Sequence, residues 1–238
     1  MKLDVLAIAA HPDDAEISAG ASIARLVSEG KKAGILDLTR GELGTRGSAE
    51  LRDQEALRAA EILGLSARHN IGLPDGFFQN VESSQRLIIE QVRRFQPDVI
   101  LANTPSDRHP DHGIGAKLAA DACFLSGLRK IETTWEGKAQ AAWRPRMVMH
   151  YIQDYYHEPD IVWDVSDFFE TKMNAIKAFS SQFYDPKSDE PDTPISGKDF
   201  FEMLEARAIS LGRPAGMRYA EGFLIQRIFG VNDLFSLI

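Results

Sequence analysis

Apolar positions dominate Leu3 to Ala10 before the chain turns abruptly polar at His11-Pro12. A run this compact predicts a strand buried on both faces, as in a parallel sheet. From Asp14 to Lys31 the period changes: Ile17, Ala21, Ala24 and Leu26 recur at three-to-four residue spacing, and Gly30 stands where a helix ends. Ala33 to Thr39 predicts a second strand, Gly41 to Gly47 a glycine-rich loop, and Ser48 the cap of a helix running through Leu63 and stopping at Gly64. Asn70 to Leu73 reads as a short third strand, Val81 to Phe95 as an amphipathic helix ended by Pro97, and Asp98 to Asn103 as a fourth strand. A polar loop, Thr104 to His112, then precedes helix from Gly113 to Phe124.

Strands and helices alternating at this spacing predict right-handed crossovers. The expected fold is α/β, a Rossmann-like doubly wound, mostly parallel sheet with helices on both faces and a smaller C-terminal α/β extension. A single domain over 1–238 is expected, with its core in 1–130 and 131–238 completing the pocket. In the extension, Met147 to Gln153 and Ile161 to Val165 read as strands, Asp167 to Phe179 as helix and Tyr184 to Gly197 as a Pro-rich loop. Helix is expected again over Phe200 to Leu211, and a closing strand over Tyr219 to Ile228.

Charge narrows the partners. With 27 Lys+Arg against 35 Asp+Glu the formal charge is −8, which argues against nucleic acid as a partner. No run approaches the roughly 20 apolar residues of a membrane span, and the N-terminus does not read as a signal peptide. Cys123 is the single cysteine, so a metal site must draw on His and carboxylate ligands; a reducing, cytoplasmic setting is expected.

The chemistry concentrates at two strand ends. The first strand runs into His11-Pro12-Asp13-Asp14-Ala15-Glu16, where a dinucleotide-binding chain carries glycines. Carboxylates there would repel a pyrophosphate, whereas His beside two aspartates suits a cation. The second cluster, Asp107-Arg108-His109-Pro110-Asp111-His112, follows the fourth strand. In strand order 3-2-1-4-5 the first and fourth strands are neighbours at the switch point, so both loops open into one crevice. A lone His-Pro-Asp triplet is usually a turn. Two of them after adjacent strands favour chemistry. His11, Asp14 and His112 can assemble the three-ligand site of a zinc hydrolase; Fe(II) suits the same set. That leaves Asp13 and His109 as base and acid, with Asp111 able to orient His109.

The stretch Ala10 to Glu16 with the later His109-Pro110-Asp111-His112 resembles the zinc-dependent LmbE/PIG-L deacetylases of N-acetylglucosaminyl compounds. The likeness extends through 44–47, Leu51 to Ala56, Gly72-Leu73-Pro74-Asp75-Gly76, Ser181-Gln182-Phe183 and Tyr219 to Phe223. Within the family it points, chiefly through Ala122 to Leu128, to the deacetylases of bacillithiol biosynthesis, which remove acetyl from N-acetylglucosaminyl-malate. The resemblance implies zinc on His11, Asp14 and His112, Asp13 as general base, His109 as general acid and Arg52 on the substrate carboxylate. It also implies a homo-oligomer, hexamers among the relatives. By helical pattern alone, Arg52 would instead pair with Asp53 or Glu55. The chain departs from the family at Phe200, where relatives often carry an oxyanion-binding tyrosine; Tyr184 is a candidate replacement. Two other readings stand beside this one: another N-acetylglucosaminide such as diacetylchitobiose as substrate, or a non-catalytic metal- or nucleotide-binding module. The apolar segment 234–238 is expected to pack on its own domain or in an interface.

Overall fold

A computed structural model describes residues 1–186, 188–228, 230–233 and 235 of the chain. The elements are β1 (Val5–Ala9), α1 (Asp14–Ser28), β2 (Ala33–Asp37), α2 (Ala49–Leu63), β3 (Ala67–Asn70), α3 (Glu82–Phe95), β4 (Val99–Ala102) and α4 (Pro110–Leu125). There follow a two-stranded hairpin, β5 (Thr134–Trp135) and β6 (Lys138–Ala139), then β7 (Met147–Tyr151), β8 (Ile161–Asp164), α5 (Phe169–Lys177), α6 (Lys198–Gly212) and β9 (Ala220–Ile225).

The main sheet has strand order β3-β2-β1-β4-β7-β9-β8. Its first five strands are parallel; β9 pairs antiparallel to β7, and β8 antiparallel to β9, so only β9 runs against the rest. The expected doubly wound α/β fold is therefore present, and the strands of the C-terminal extension complete the same sheet. Among the described residues no helix is long and apolar enough to cross a membrane.

The apolar run of β1 serves two cores at once. Val5, Ala7 and Ala9 face a cluster with α1, α2, α5 and α6, including Ile23, Leu63, Phe179 and Leu204. Leu6, Ile8 and Ala10 face the opposite cluster with α3 and α4, including Val92, Leu118 and Ala122. Side chains alternate across a strand, so burial of both sets requires a continuous apolar sequence. The second helix starts and stops as its caps dictate: Leu51 N–H donates to Ser48 Oγ at 3.2 Å, and Gly64 takes φ 67°.

The hairpin β5–β6 has no counterpart among the expected elements, and several bounds differ. β3 lies at Ala67–Asn70 rather than Asn70 to Leu73, because the inward position is Arg68, whose charge is matched by Glu16 and Asp37. Counting apolar residues cannot find such a strand. α4 begins at Pro110, not Gly113: Pro occupies the first turn and His109 is the N-cap. The closing strand ends at Ile225, before the exposed residues 226–228. Of the segment 234–238, only Phe235 lies within the described residues, and it is exposed.

Candidate functional site

β1 and β4 lie side by side in parallel register, with Val5 opposite Val99 and Ile8 opposite Ala102. Both motifs therefore emerge at the same sheet edge. Asn103 clamps the two strand ends by accepting the Ala10 N–H at 2.8 Å. Above them opens a cavity of about 450 Å³ lined by His11, Asp13, Asp14, His109, His112 and Arg52, among others.

Asp14 sits between two histidines. Its Oδ1 is 3.2 Å from His112 Nε2 and its Oδ2 is 3.5 Å from His11 Nδ1. The carboxylate also accepts His11 N–H at 2.9 Å, Asn103 Nδ2 at 3.0 Å and Gln153 Nε2 at 3.0 Å. Burial would raise its pKa, but the His112 and His11 charges and hydrogen bonds hold it well below the usual carboxylate range. His112 is aimed from behind by Asp107, whose Oδ2 lies 2.6 Å from its Nδ1. Against burial, Asp14 and Asp107 lift His112 to about 9. Against burial too, Asp111, Asp14 and Asp75 raise His11 well above its ordinary value.

The donor set fits a divalent cation. Ring nitrogens of His11, His109 and His112 lie within 4.8 Å of one another, and Asp14 bridges the first and last of these. Nitrogen and carboxylate donors of this kind, backed by a carboxylate on the far nitrogen of His112, suit Zn²⁺ or Fe²⁺. His11, Asp14 and His112 could hold it, and ligand atoms of His11, Asp75 and Asp111 also lie within 4.8 Å of one another.

Asp13 is built differently from its neighbours. It precedes α1 at φ 120°, a region that non-glycine residues enter only under constraint, yet its side chain caps nothing. Among the described residues its carboxylate makes no hydrogen bond, although only 5% of the residue is exposed. Burial raises its pKa to about 7, opposed by the charge of Arg52 and reinforced by that of Asp14.

His109 and Asp111 depart from the expected pairing. His109 Nδ1 accepts the backbone N–H of Asp111 at 3.2 Å, so the proton of its neutral ring is on Nε2. Burial and the charges of His11 and His112 lower its pKa. The site thus favours a neutral donor there, not an imidazolium. The Asp111 carboxylate orients His11 instead: Oδ2 lies 3.2 Å from His11 Nε2 and accepts Gly76 N–H at 2.8 Å. His109 is the N-cap of α4, and its ring takes the backbone N–H of Asp111 in place of the carboxylate.

Arg52 is buried in the cavity wall, and the alternative partners are taken. Asp53 pairs with Arg40 at 2.6 Å, and Glu55 accepts Ser180 and Ser181 hydroxyls at 2.9 and 2.7 Å. Room for its guanidinium comes from Gly41, at φ 64°, where a Cβ would lie 2.0 Å from Arg52 Nη1. Phe200 lines the cavity and stacks on Phe183 with ring centroids 5.6 Å apart. Tyr184 is not among the lining residues. Thr193 is, and its buried hydroxyl has no partner among the described residues.

Sequence reasoning assigned no role to Asp75, Asp107, Asn103 or Gln153. Asp75 Oδ1 lies 3.1 Å from His11 Nε2, and its Gly-Leu-Pro-Asp-Gly stretch was the available signal. Asn103 is a polar residue at the end of an apolar strand, which marks a sheet-edge site. Gln153 gave no signal, because it lies past the end of β7 and reaches the site only through the tertiary pairing of that strand with β4.

Residues 6–123 match the PIG-L family model, described as GlcNAc-PI de-N-acetylase. The diacetylchitobiose deacetylase of Thermococcus kodakarensis is 30% identical over 232 residues, covering 92% of this chain and 81% of that protein. A Bacillus subtilis protein named "Probable N-acetyl-alpha-D-glucosaminyl L-malate deacetylase 2" is 28% identical over 203 residues, covering 76% of this chain and 84% of its own. The crystal structure of a conserved protein of Thermus thermophilus superposes with TM-score 0.85 at 35% identity, covering 97% of this chain and 98% of that one. Through these likenesses, and with both His-Pro-Asp motifs brought to one sheet edge, the chain belongs to the PIG-L family of de-N-acetylases.

Proposed function

We propose that the protein is a metal-dependent hydrolase that removes the acetyl group from an N-acetylglucosaminide, with N-acetylglucosaminyl-malate as its preferred substrate. The observation that carries the reaction is Asp13: a buried carboxylate, unbonded among the described residues, flanked by two candidate ligands and poised near neutrality.

A divalent cation held by His11, Asp14 and His112 would supply Lewis acidity, polarising the acetamide carbonyl and making water nucleophilic near neutral pH. Asp13 accepts the proton of the attacking water and returns it to the departing sugar nitrogen. His109 Nε2–H donates to the carbonyl oxygen as negative charge develops there, a role suited to a neutral ring. Asp107 and Asp111 hold His112 and His11 in orientation. Arg52, with no carboxylate partner among the described residues, supports recognition of a malate carboxylate. Phe200 offers no hydroxyl, so among the cavity side chains stabilisation of the developing oxyanion falls to His109.

A second reading keeps this chemistry and changes the aglycone. The Thermococcus kodakarensis relative is named for diacetylchitobiose, a neutral substrate. Acetate release from N-acetylglucosaminyl-malate, free N-acetylglucosamine and diacetylchitobiose decides between them. The malate conjugate is expected to give the highest kcat/KM. Equal or better turnover of diacetylchitobiose overturns the malate assignment, and no release from any of the three overturns the reaction. Metal analysis is expected to find about one Zn²⁺ or Fe²⁺ per chain, lost in His112→Ala; full occupancy in that variant contradicts the ligand set.

A further inference from the structure

A second cavity of about 280 Å³ adjoins the first and shares with it Asp154, Met203 and Arg207. Ile152, Leu211 and the 76% exposed Tyr156 supply apolar wall to it. Arg207, on α6, stands at the junction. Its Nη2 donates to the backbone carbonyl of Asp154 at 3.1 Å. The Asp154 carboxylate is itself held by Arg108 Nε at 2.8 Å. Among the described residues Arg207 therefore has no ion-pair partner. Burial lowers its pKa, with Asp154 and Asp107 opposing from a distance.

What sets Arg207 apart is its place: three arginines line the main cavity, Arg52, Arg108 and Arg207. Of these, Arg108 is matched by the Asp154 carboxylate. Arg52 and Arg207, on different helices, have no such match among the described residues. Partly desolvated guanidiniums gain most from a carboxylate that enters with the ligand.

We propose that Arg207 is a specificity-determining residue that engages a carboxylate on the aglycone, and that the cavity beside Met203, Leu211 and Tyr156 is the aglycone subsite. The ligand class is a short, carboxylate-bearing hydroxy-acid glycoside. Such an aglycone with two carboxylates meets two guanidiniums, Arg52 and Arg207. The inference rests on the reading of the substrate as a carboxylated N-acetylglucosaminide.

The test compares N-acetylglucosaminyl-malate with methyl N-acetylglucosaminide, the same sugar without charge, in wild type, Arg207→Met and Arg207→Lys. Arg207→Met is expected to lower the ratio of the two kcat/KM values about 10- to 100-fold, the loss of a charged hydrogen bond, and to act through KM. Arg207→Lys recovers part of the ratio. Calorimetric binding of the product glucosaminyl-malate weakens by a similar factor in Arg207→Met, independently of turnover. An unchanged ratio with unchanged product binding overturns the inference. So does an equal loss on both substrates, which marks a structural role. If the wild type hydrolyses neither glycoside, the proposed reaction fails. The binding titration then still decides Arg207: binding lost in Arg207→Met supports it, and no binding by the wild type overturns it.

Discussion

Replacing Arg68 with Met removes the cation from a buried cluster that ties β3 and β2 to α1, the helix carrying Asp14. Arg68 gives Nε and Nη2 to the two oxygens of Asp37 at 2.7 and 2.9 Å, and Nη1 to Glu16 and to the Ala56 carbonyl. Glu16 is 0% and Asp37 2% exposed. Removing one partner and leaving buried carboxylates uncompensated costs about 3–5 kcal/mol. At roughly 2–4 °C per kcal/mol for a chain of this size, Tm should fall by about 6–20 °C. The loss should also depend on pH. Burial already raises the Asp37 carboxyl, with Arg68 opposing, so in the variant it rises further. A carboxyl with a raised folded-state pKa binds its proton more tightly when folded, so the destabilisation is full at high pH and shrinks as pH falls through that pKa. Urea unfolding at about pH 8 and about pH 5.5 measures both effects. Arg68→Lys, which keeps the charge and loses the fork, should fall between. A loss under about 1 kcal/mol at the higher pH, or one that does not change with pH, would refute this reasoning.

Asp107→Asn should weaken metal binding about 10- to 100-fold, because His112 loses the charged acceptor behind its Nδ1; chelator competition reads this, and unchanged affinity contradicts it. Gly41→Ala places a Cβ where Arg52 Nη1 lies, so the guanidinium must move and KM for the malate conjugate should rise about 10-fold; an unaltered KM would separate Arg52 from the carboxylate. Cys123 is 2% exposed and burial pushes its thiol up to about 12. It should resist a thiol reagent in the native protein and react once per chain after denaturation; labelling of the native protein would contradict its burial.

The core of the fold was legible because both faces of β1 are apolar and the caps of α2, Ser48 and Gly64, are standard helix signals. β3 was displaced because its inward residue is charged and its match lies on two other elements. The extension was legible as strands but not as continuation of the same sheet, since the antiparallel pairing of β9 between β7 and β8 is long-range. In the site, residue types at two strand ends located the cluster. The partners of each ring were not readable: Asp111 serves His11 and Asp107 serves His112, assignments that depend on side-chain direction at the start of α4. Arg207 carries no local signal, because α6 reaches the cavity only through tertiary packing.

The most direct test is the rate of acetate release by metal-loaded Asp13→Asn set beside its metal content. Asn keeps the shape of the side chain and cannot take the water's proton. Metal content should match the wild type while kcat falls about 10²- to 10⁴-fold. Turnover equal to the wild type at full metal occupancy would contradict the assignment of Asp13 as the base.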